Sequence, residues 1–296
     1  MMSMRKSNES KNGRQSHPYT GKVAVLSTKH EKLPLIGPPL ERTVGMHVEA
    51  IAVDTDSLGT FSGDIPRLGS PLETAIAKAH LGMSATGNSI GIASEGSIGP
   101  DPQIPFVNAD LEVVVLVDGV AGIVISEVFS SRDIMAAETT SQSGNDLEQF
   151  LFEADFPSHQ MIVRPNSGEM RPIYKGIANV DELNTAISSC APVSTDGLAY
   201  IGTDLRAHAC PSRQKIIVSA AERLGVRVAS LCPACGIPGW GRVDILFGIP
   251  CAWCGTPVAK PRAEINACVV CDHRETRQIV SEKVVADPAT CPECNP

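Results

Sequence analysis

Hydrophobic positions in this chain come in short runs rather than long stripes. The first, residues 22–26 (KVAVL), has strand length and reads as a buried strand. The polar segment 27–32 (STKHEK) follows it as a turn that opens a helix. Residues 46–53 read as a second strand, and 54–70, rich in Gly, Asp and Ser, as a loop. A helix then begins at Pro71: Ser70 suits the N-cap, Pro71 the first helical position, and Glu73 completes a capping box. Residues 89–93 predict a strand, with 94–100 (SEGSIGP) as the loop after it. The apolar runs 112–117 and 122–128 flank Asp118-Gly119 and predict an antiparallel hairpin. Helices are expected at 144–153 and 180–188, with a short strand at 161–163 between them. Ser212 is placed to cap a helix running through Leu224, with Gly225 at its C-terminal end. Strands interleave with helices, so the fold class is α/β, a mixed sheet with flanking helices over residues 19–230. Residues 1–18 lack apolar periodicity and have the composition of a disordered tail.

Composition changes this picture in two places. Hydrophobic residues make up 43% of the 296 positions but aromatics only 4%, so the core must rest on aliphatic side chains. The formal charge of −8 argues against a general affinity for nucleic acid or anionic membranes, which needs a positive field. No apolar run approaches the roughly 18 residues that cross a bilayer, and the N-terminus lacks the apolar segment of a secretory signal. The expected location is the cytoplasm.

Ten cysteines are unevenly placed. Cys190 and Cys210 stand apart and read as small reduced residues. The other eight form four C-x-x-C pairs in the last part of the chain: Cys232 and Cys235, Cys251 and Cys254, Cys268 and Cys271, Cys291 and Cys294. Zinc takes four soft ligands in a tetrahedron, and each C-x-x-C turn offers two thiolates. Residues 231–296 therefore read as a double zinc-ribbon module with two structural zinc ions. Sequential pairing of the four turns has suitable spacing and is preferred; nesting the second with the third and the first with the fourth is the alternative. The module holds six Lys/Arg against seven Asp/Glu, so it is acidic even before the thiolates are counted. A protein partner suits such ribbons better than a nucleic acid does.

Candidate chemistry in the first domain lies in three segments. Ser27, Lys29 and Lys32 follow the first strand, where a strand-to-helix turn offers backbone N–H groups and positive charge to a phosphate. Glu73 and Lys78 lie on the capped helix, and Glu95 in the expected loop. Two carboxylates with lysines nearby suit Mg²⁺ and a phosphorylated ligand. In this order the segments resemble the house-cleaning nucleoside triphosphate pyrophosphatases, which carry [ST]-x-N-x-x-K, E-N-A-x-x-K-A and A-D-D-S-G. Here Lys29 stands at the Asn position, Thr74 replaces the second Asn, and Ser94 replaces one acid of the pair. That resemblance implies hydrolysis of a phosphoanhydride, with Glu73 and Glu95 as catalytic metal ligands or base and Lys32 and Lys78 on phosphate. Arg213, at the start of the last helix, would stand in the family's base-binding segment. As a whole, the chain is similar to an uncharacterised bacterial family of unknown function, which carries the ETAxxKA, SEGS and TDLRAH segments before paired cysteines. Asp204, Arg206 and His208 alternate within the last of these and would share one face of an extended segment, as a substrate clamp or an internal salt bridge. The competing reading is a non-enzymatic protein whose ribbons bind another protein.

Overall fold

The structure is a computed structural model that describes residues 16–29, 31–58, 69–281 and 284–296. It opens with a β-α-β unit: β1 (Val23–Ser27), α1 (Leu33–Val44) and β2 (His47–Ile51), the two strands parallel. Helix α2 (Pro71–Thr86) has the expected capping box, with Ser70 and Glu73 bonded reciprocally, and ends at Gly87 in the left-handed conformation. It leads to β3 (Ile90–Pro100), which lies parallel to β1 on the side away from β2. Strands β4 (Asn108–Asp118) and β5 (Ile123–Ser131) follow as antiparallel neighbours, giving the mixed sheet order β2-β1-β3-β4-β5. The expected loop at 94–100 is instead the second half of β3. Its Gly and Ser positions stay extended because β4 pairs with β3 along its whole length, from Ile90↔Asp118 to Pro100↔Asn108.

The span read as one α/β domain contains a second sheet with its own core. It is built from β6 (Glu138–Ser141), α3 (Glu148–Glu153), β7 (Met161–Pro165), β8 (Tyr174–Ile177), α4 (Val180–Cys190) and β9 (Ala199–Thr203), in the antiparallel order β6-β9-β7-β8. Leu147, Met161, Val163, Ile187 and Ile201 form its interior. The chain then returns to the first sheet as α5 (Pro211–Ala229).

Helix α5 differs from expectation at both ends. Ser212 lies inside the first turn, the N-cap being Cys210, and the Ser212 side chain turns to His159. At the other end the helix runs on through Gly225. A Cβ there would lie 2.8 Å from Thr43 Oγ1 and 3.1 Å from the Pro39 carbonyl, so Gly225 lets α5 cross α1 closely rather than ending it. The two helices cover one face of the first sheet, with Leu26, Ile92, Leu116, Leu40, Ile217 and Leu224 fully buried between. Ala75, Ala79, Ala93, Val113, Val115 and Val117 seal α2 to the other face. Of the expected tail, residues 1–15 lie outside the described residues, but His17 packs on the fold: its Nε2 is 3.0 Å from the Val228 carbonyl, and Tyr19 is buried.

A three-stranded antiparallel ribbon, β10 (Gly241–Pro250), β11 (Pro257–Ala267) and β12 (Arg274–Gln278), completes the chain. Among the described residues, no helix is long and apolar enough to cross a membrane.

Candidate functional sites: two cysteine centres and a buried polar cluster

The cysteines gather as two groups of four, and the pairing is neither of the two orders that spacing suggested. Cys232 and Cys235 meet Cys268 and Cys271, while Cys251 and Cys254 meet Cys291 and Cys294. The length of β10 explains the crossing. Its ten residues separate the first two pairs by about 30 Å, too far to share an ion. The hairpin reversal, with Gly241 opposite Ala267 and Pro250 opposite Pro257, brings the third pair back beside the first. The fourth returns to the second through the Ala286 N–H to Pro250 carbonyl bond.

All ten cysteines are free thiols. Across the first centre the Sγ–Sγ distances are 3.8 Å (Cys232–Cys271) and 3.6 Å (Cys235–Cys268). Across the second they are 3.8 Å (Cys251–Cys294) and 3.5 Å (Cys254–Cys291). A tetrahedron with Zn–S bonds of about 2.3 Å has edges of about 3.8 Å, so both groups have the dimensions of a tetrathiolate zinc site. Backbone N–H groups of Val270 and Cys271 point at Cys268 Sγ, and that of Trp253 at Cys251 Sγ, which suits thiolate ligands. Four protein ligands close the coordination sphere, so such sites are structural.

The second assembly lies where β1 stops and β3 continues. Lys32, at the entrance to α1, reaches over the end of β1 and donates to Ser94 Oγ at 2.8 Å. Lys78 on α2 pairs with Glu95 at 2.5 Å, both largely buried. On the opposite face, Arg213 of α5 pairs with Glu112 of β4 at 2.7 Å and donates to the Leu205 carbonyl at 2.6 Å. Gly96 is required beneath this pair, since a Cβ there would lie 2.3 Å from the guanidinium and 2.4 Å from Glu112 Oε1. Asp110 lies two residues before Glu112 on the same face of β4, fully buried. Both its carboxylate oxygens, and Oε2 of Glu112, are buried without a hydrogen-bond partner.

These groups feel one another. Burial lowers the Lys32 ammonium to about 8, against an opposing attraction from Glu112. Burial, reinforced by the neighbouring Glu112 charge, pushes the Asp110 carboxyl well above the usual carboxylate range. Burial opposes the Arg213 charge most strongly, but the combined pull of Glu112, Asp110 and Cys210 exceeds it and holds the guanidinium charged.

Several expected contacts lie elsewhere. The Glu73 carboxylate is exposed and accepts from the Ser70 N–H and hydroxyl, both at 2.8 Å, so it serves the helix cap. Ser27 faces α2 rather than Lys32: its Oγ is buried against Gly82, where an added Cβ would lie only 2.2 Å away. Lys29 pairs with Asp54 on the surface. Arg206 binds Asp204 on the second sheet, and a 3-10 turn at Ala207–Ala209 breaks the expected alternation, leaving His208 exposed. Asp110 and Glu112 escaped the sequence reading, although acids two apart in an apolar strand must share a face.

Asp155, His159 and Ser212 form a further chain, with His159 Nδ1 2.9 Å from Asp155 and Nε2 3.0 Å from Ser212 Oγ. The Ser212 N–H also points at Nε2, and the Ser212 hydroxyl accepts from the Met135 N–H. The serine is thus fully engaged, and the chain straps the second sheet to α5.

This combination defines an α/β protein with a second, antiparallel sheet and a C-terminal ribbon bearing two four-cysteine centres able to hold metal. A family described as a domain of unknown function, DUF6671, matches residues 78–296. That is most of the chain, and the protein belongs to this family. No curated protein matches it.

Proposed function

We propose that the first sheet binds a phosphorylated small molecule, a nucleotide in the first instance, at the carboxyl end of β1. A divalent cation such as Mg²⁺ would lie between its phosphates and the buried acids. The observation that carries this reading is the meeting of Lys32, Lys78 and Arg213, from three separate elements, with Glu95, Asp110 and Glu112. It occurs between β1 and β3, from which the connections leave in opposite directions, and ligands of open α/β sheets bind at such points. Buried carboxylate oxygens without a donor call for a proton or a cation, and Asp110 with Glu112 supplies three of them. Mg²⁺ commonly takes only one or two carboxylates, the rest of its shell coming from water and phosphate.

In a hydrolytic reaction, the cation and the lysines would neutralise charge on the departing phosphate. Glu95, freed from Lys78 by the incoming phosphate, would accept the proton of a water attacking phosphorus as the anhydride P–O bond breaks. Phosphate and pyrophosphate release from a panel of standard and deaminated nucleoside triphosphates, with Mg²⁺ or Mn²⁺, tests this. Release that disappears in Glu95→Gln while the thermal transition is retained is the expected result. Equal release from the variant, or none from protein carrying two zinc ions, would remove the hydrolase reading. Binding has its own test. Phosphate affinity should fall as pH rises through about 8, where Lys32 loses its charge, and Lys32→Arg should flatten that decline.

A second reading, contact with a protein partner, is favoured by one observation. Trp253, 79% exposed, stands in the second C-x-x-C turn, with Phe247 exposed on β10. Self-association measured by light scattering, and its loss in Trp253→Ser, would support it; a monomer unaffected by the change would exclude a second copy as the partner.

A further inference from the structure

The smaller sheet carries a concave site of its own, a cavity of about 200 Å³ lined by Arg164, Lys175, Tyr200, Asp204 and Arg206 with apolar side chains such as Ile162. Its two guanidinium groups are held in place by neighbours. Asp204, only 2% exposed and itself fixed by the Gly176 N–H at 2.9 Å, grips Arg206 through Nε at 2.9 Å and Nη2 at 2.5 Å. Arg164 lies over the Tyr200 ring, 4.1 Å from its centroid, and the ring is anchored by its hydroxyl on Glu138 at 2.8 Å. Lys175 on β8 is the third cation. Three cations line this hollow, with Asp204 in its wall and Glu138 behind the Tyr200 ring, in a chain whose net charge is −8.

We propose that this cavity binds the phosphate group of a small phosphorylated molecule, as a site separate from the cluster at the end of β1. Guanidinium groups present forked N–H donors that match phosphate oxygens, and orienting them beforehand removes part of the entropic cost of binding. The apolar wall at Ile162 and Ile173 gives the carbon portion of such a ligand a place to lie. Arg206 therefore keeps a ligand-binding role, but on the second sheet and beside Arg164 and Lys175. The site stands whether or not the first sheet binds a nucleotide.

Phenyl phosphate and benzoate serve as probes, titrated by calorimetry into the full zinc-loaded protein. Phenyl phosphate should bind, and benzoate should bind at least about tenfold more weakly. Arg164→Gln and Lys175→Gln should each weaken phenyl phosphate about tenfold, the loss expected for one charge-assisted hydrogen bond. Neither change leaves Asp204 unpaired, so both variants should fold. In a Lys32→Gln background, which disables the cluster at β1, phenyl phosphate binding should persist unchanged. Binding that survives both Arg164→Gln and Lys175→Gln, or that vanishes with Lys32→Gln, would overturn the proposal. So would benzoate binding as tightly as the phosphate.

Discussion

The two cysteine centres have the same ligands and nearly the same dimensions, yet they stand in different surroundings. The centre at Cys232, Cys235, Cys268 and Cys271 is built into the wall of the first sheet. Ile237 and Val269, from its two turns, pack against the main apolar core. Gly239 lies so close to Ile125 of β5 that a Cβ would come within 2.9 Å of it. Arg227 of α5 ties the two parts together, donating to the Gly239 carbonyl at 2.8 Å, the Arg242 carbonyl at 2.7 Å and Glu127 at 3.0 Å. The centre at Cys251, Cys254, Cys291 and Cys294 instead supports a small cluster of its own, Ile249, Val258 and Ala286. Equal sets of thiols thus suit two purposes. A metal held at the near centre would complete a large core, whereas one held at the far centre would replace a core for a segment too small to have one.

The largest expected effect follows at the near centre. Cys232→Ser should cost one zinc ion and lower the main thermal transition by about 10 °C or more, because the docked wall loosens with the metal. Zinc content by mass spectrometry of the native protein and calorimetry measure the two halves of that statement. An unchanged transition after loss of the near zinc would mean that docking, not metal, holds the ribbon to the sheet.

A smaller change separates docking from coordination. Arg227→Met keeps both cysteine centres and removes three polar contacts, two of them to ribbon carbonyls. Hydrogen bonds involving a charged group contribute about 1.5–3 kcal/mol each and are not additive, so about 2–4 kcal/mol is expected. Both zinc ions should remain bound. If one of them is lost, coordination and docking at the near centre form a single cooperative unit.

How far this arrangement can be read from the chain varies by region, for physical reasons. Local rules recover the start of α2: the Ser70–Glu73 capping box is determined within a few residues. The C-x-x-C turns are local too, and both centres are built from the predicted residues. Their pairing is not local, because it depends on how far a ten-residue strand carries one turn from the next. The same distinction explains β3, whose Gly- and Ser-rich half stays extended only because β4 pairs with it. It explains Gly225 as well, which resembles a helix stop until the crossing with α1 is seen. At the polar cluster, Lys32, Lys78, Glu95 and Arg213 were legible, whereas Ser27 and Glu73 turned out to serve α2 packing and capping. Asp110 escaped because the apolar run begins after it; only the extension of β4 back to Asn108 puts it on the same face as Glu112.

The smallest effect is expected at the far centre, and it is the sharpest test of the comparison. Cys291→Ser should cost one zinc ion and leave the main transition within about 2 °C, because the cluster around Ile249 and Val258 shares little with the main core. Hydrogen exchange should then rise at amides that depend on that centre: Cys251, bonded to the Thr256 carbonyl, and Ala252 and Ala286, which join the second turn to the returning chain. Cys232, bonded to the Ile237 carbonyl, and Cys268, bonded to that of His273, should keep their protection. Between the two groups of amides lie β10 and β11, paired along nearly their whole length, and this ladder decides the outcome. If the ladder is stable without the far metal, fraying stops within it and the effect stays local. If exchange instead spreads through β10 to the near turns, the ribbon is one cooperative body, and the contrast between the centres is one of position alone.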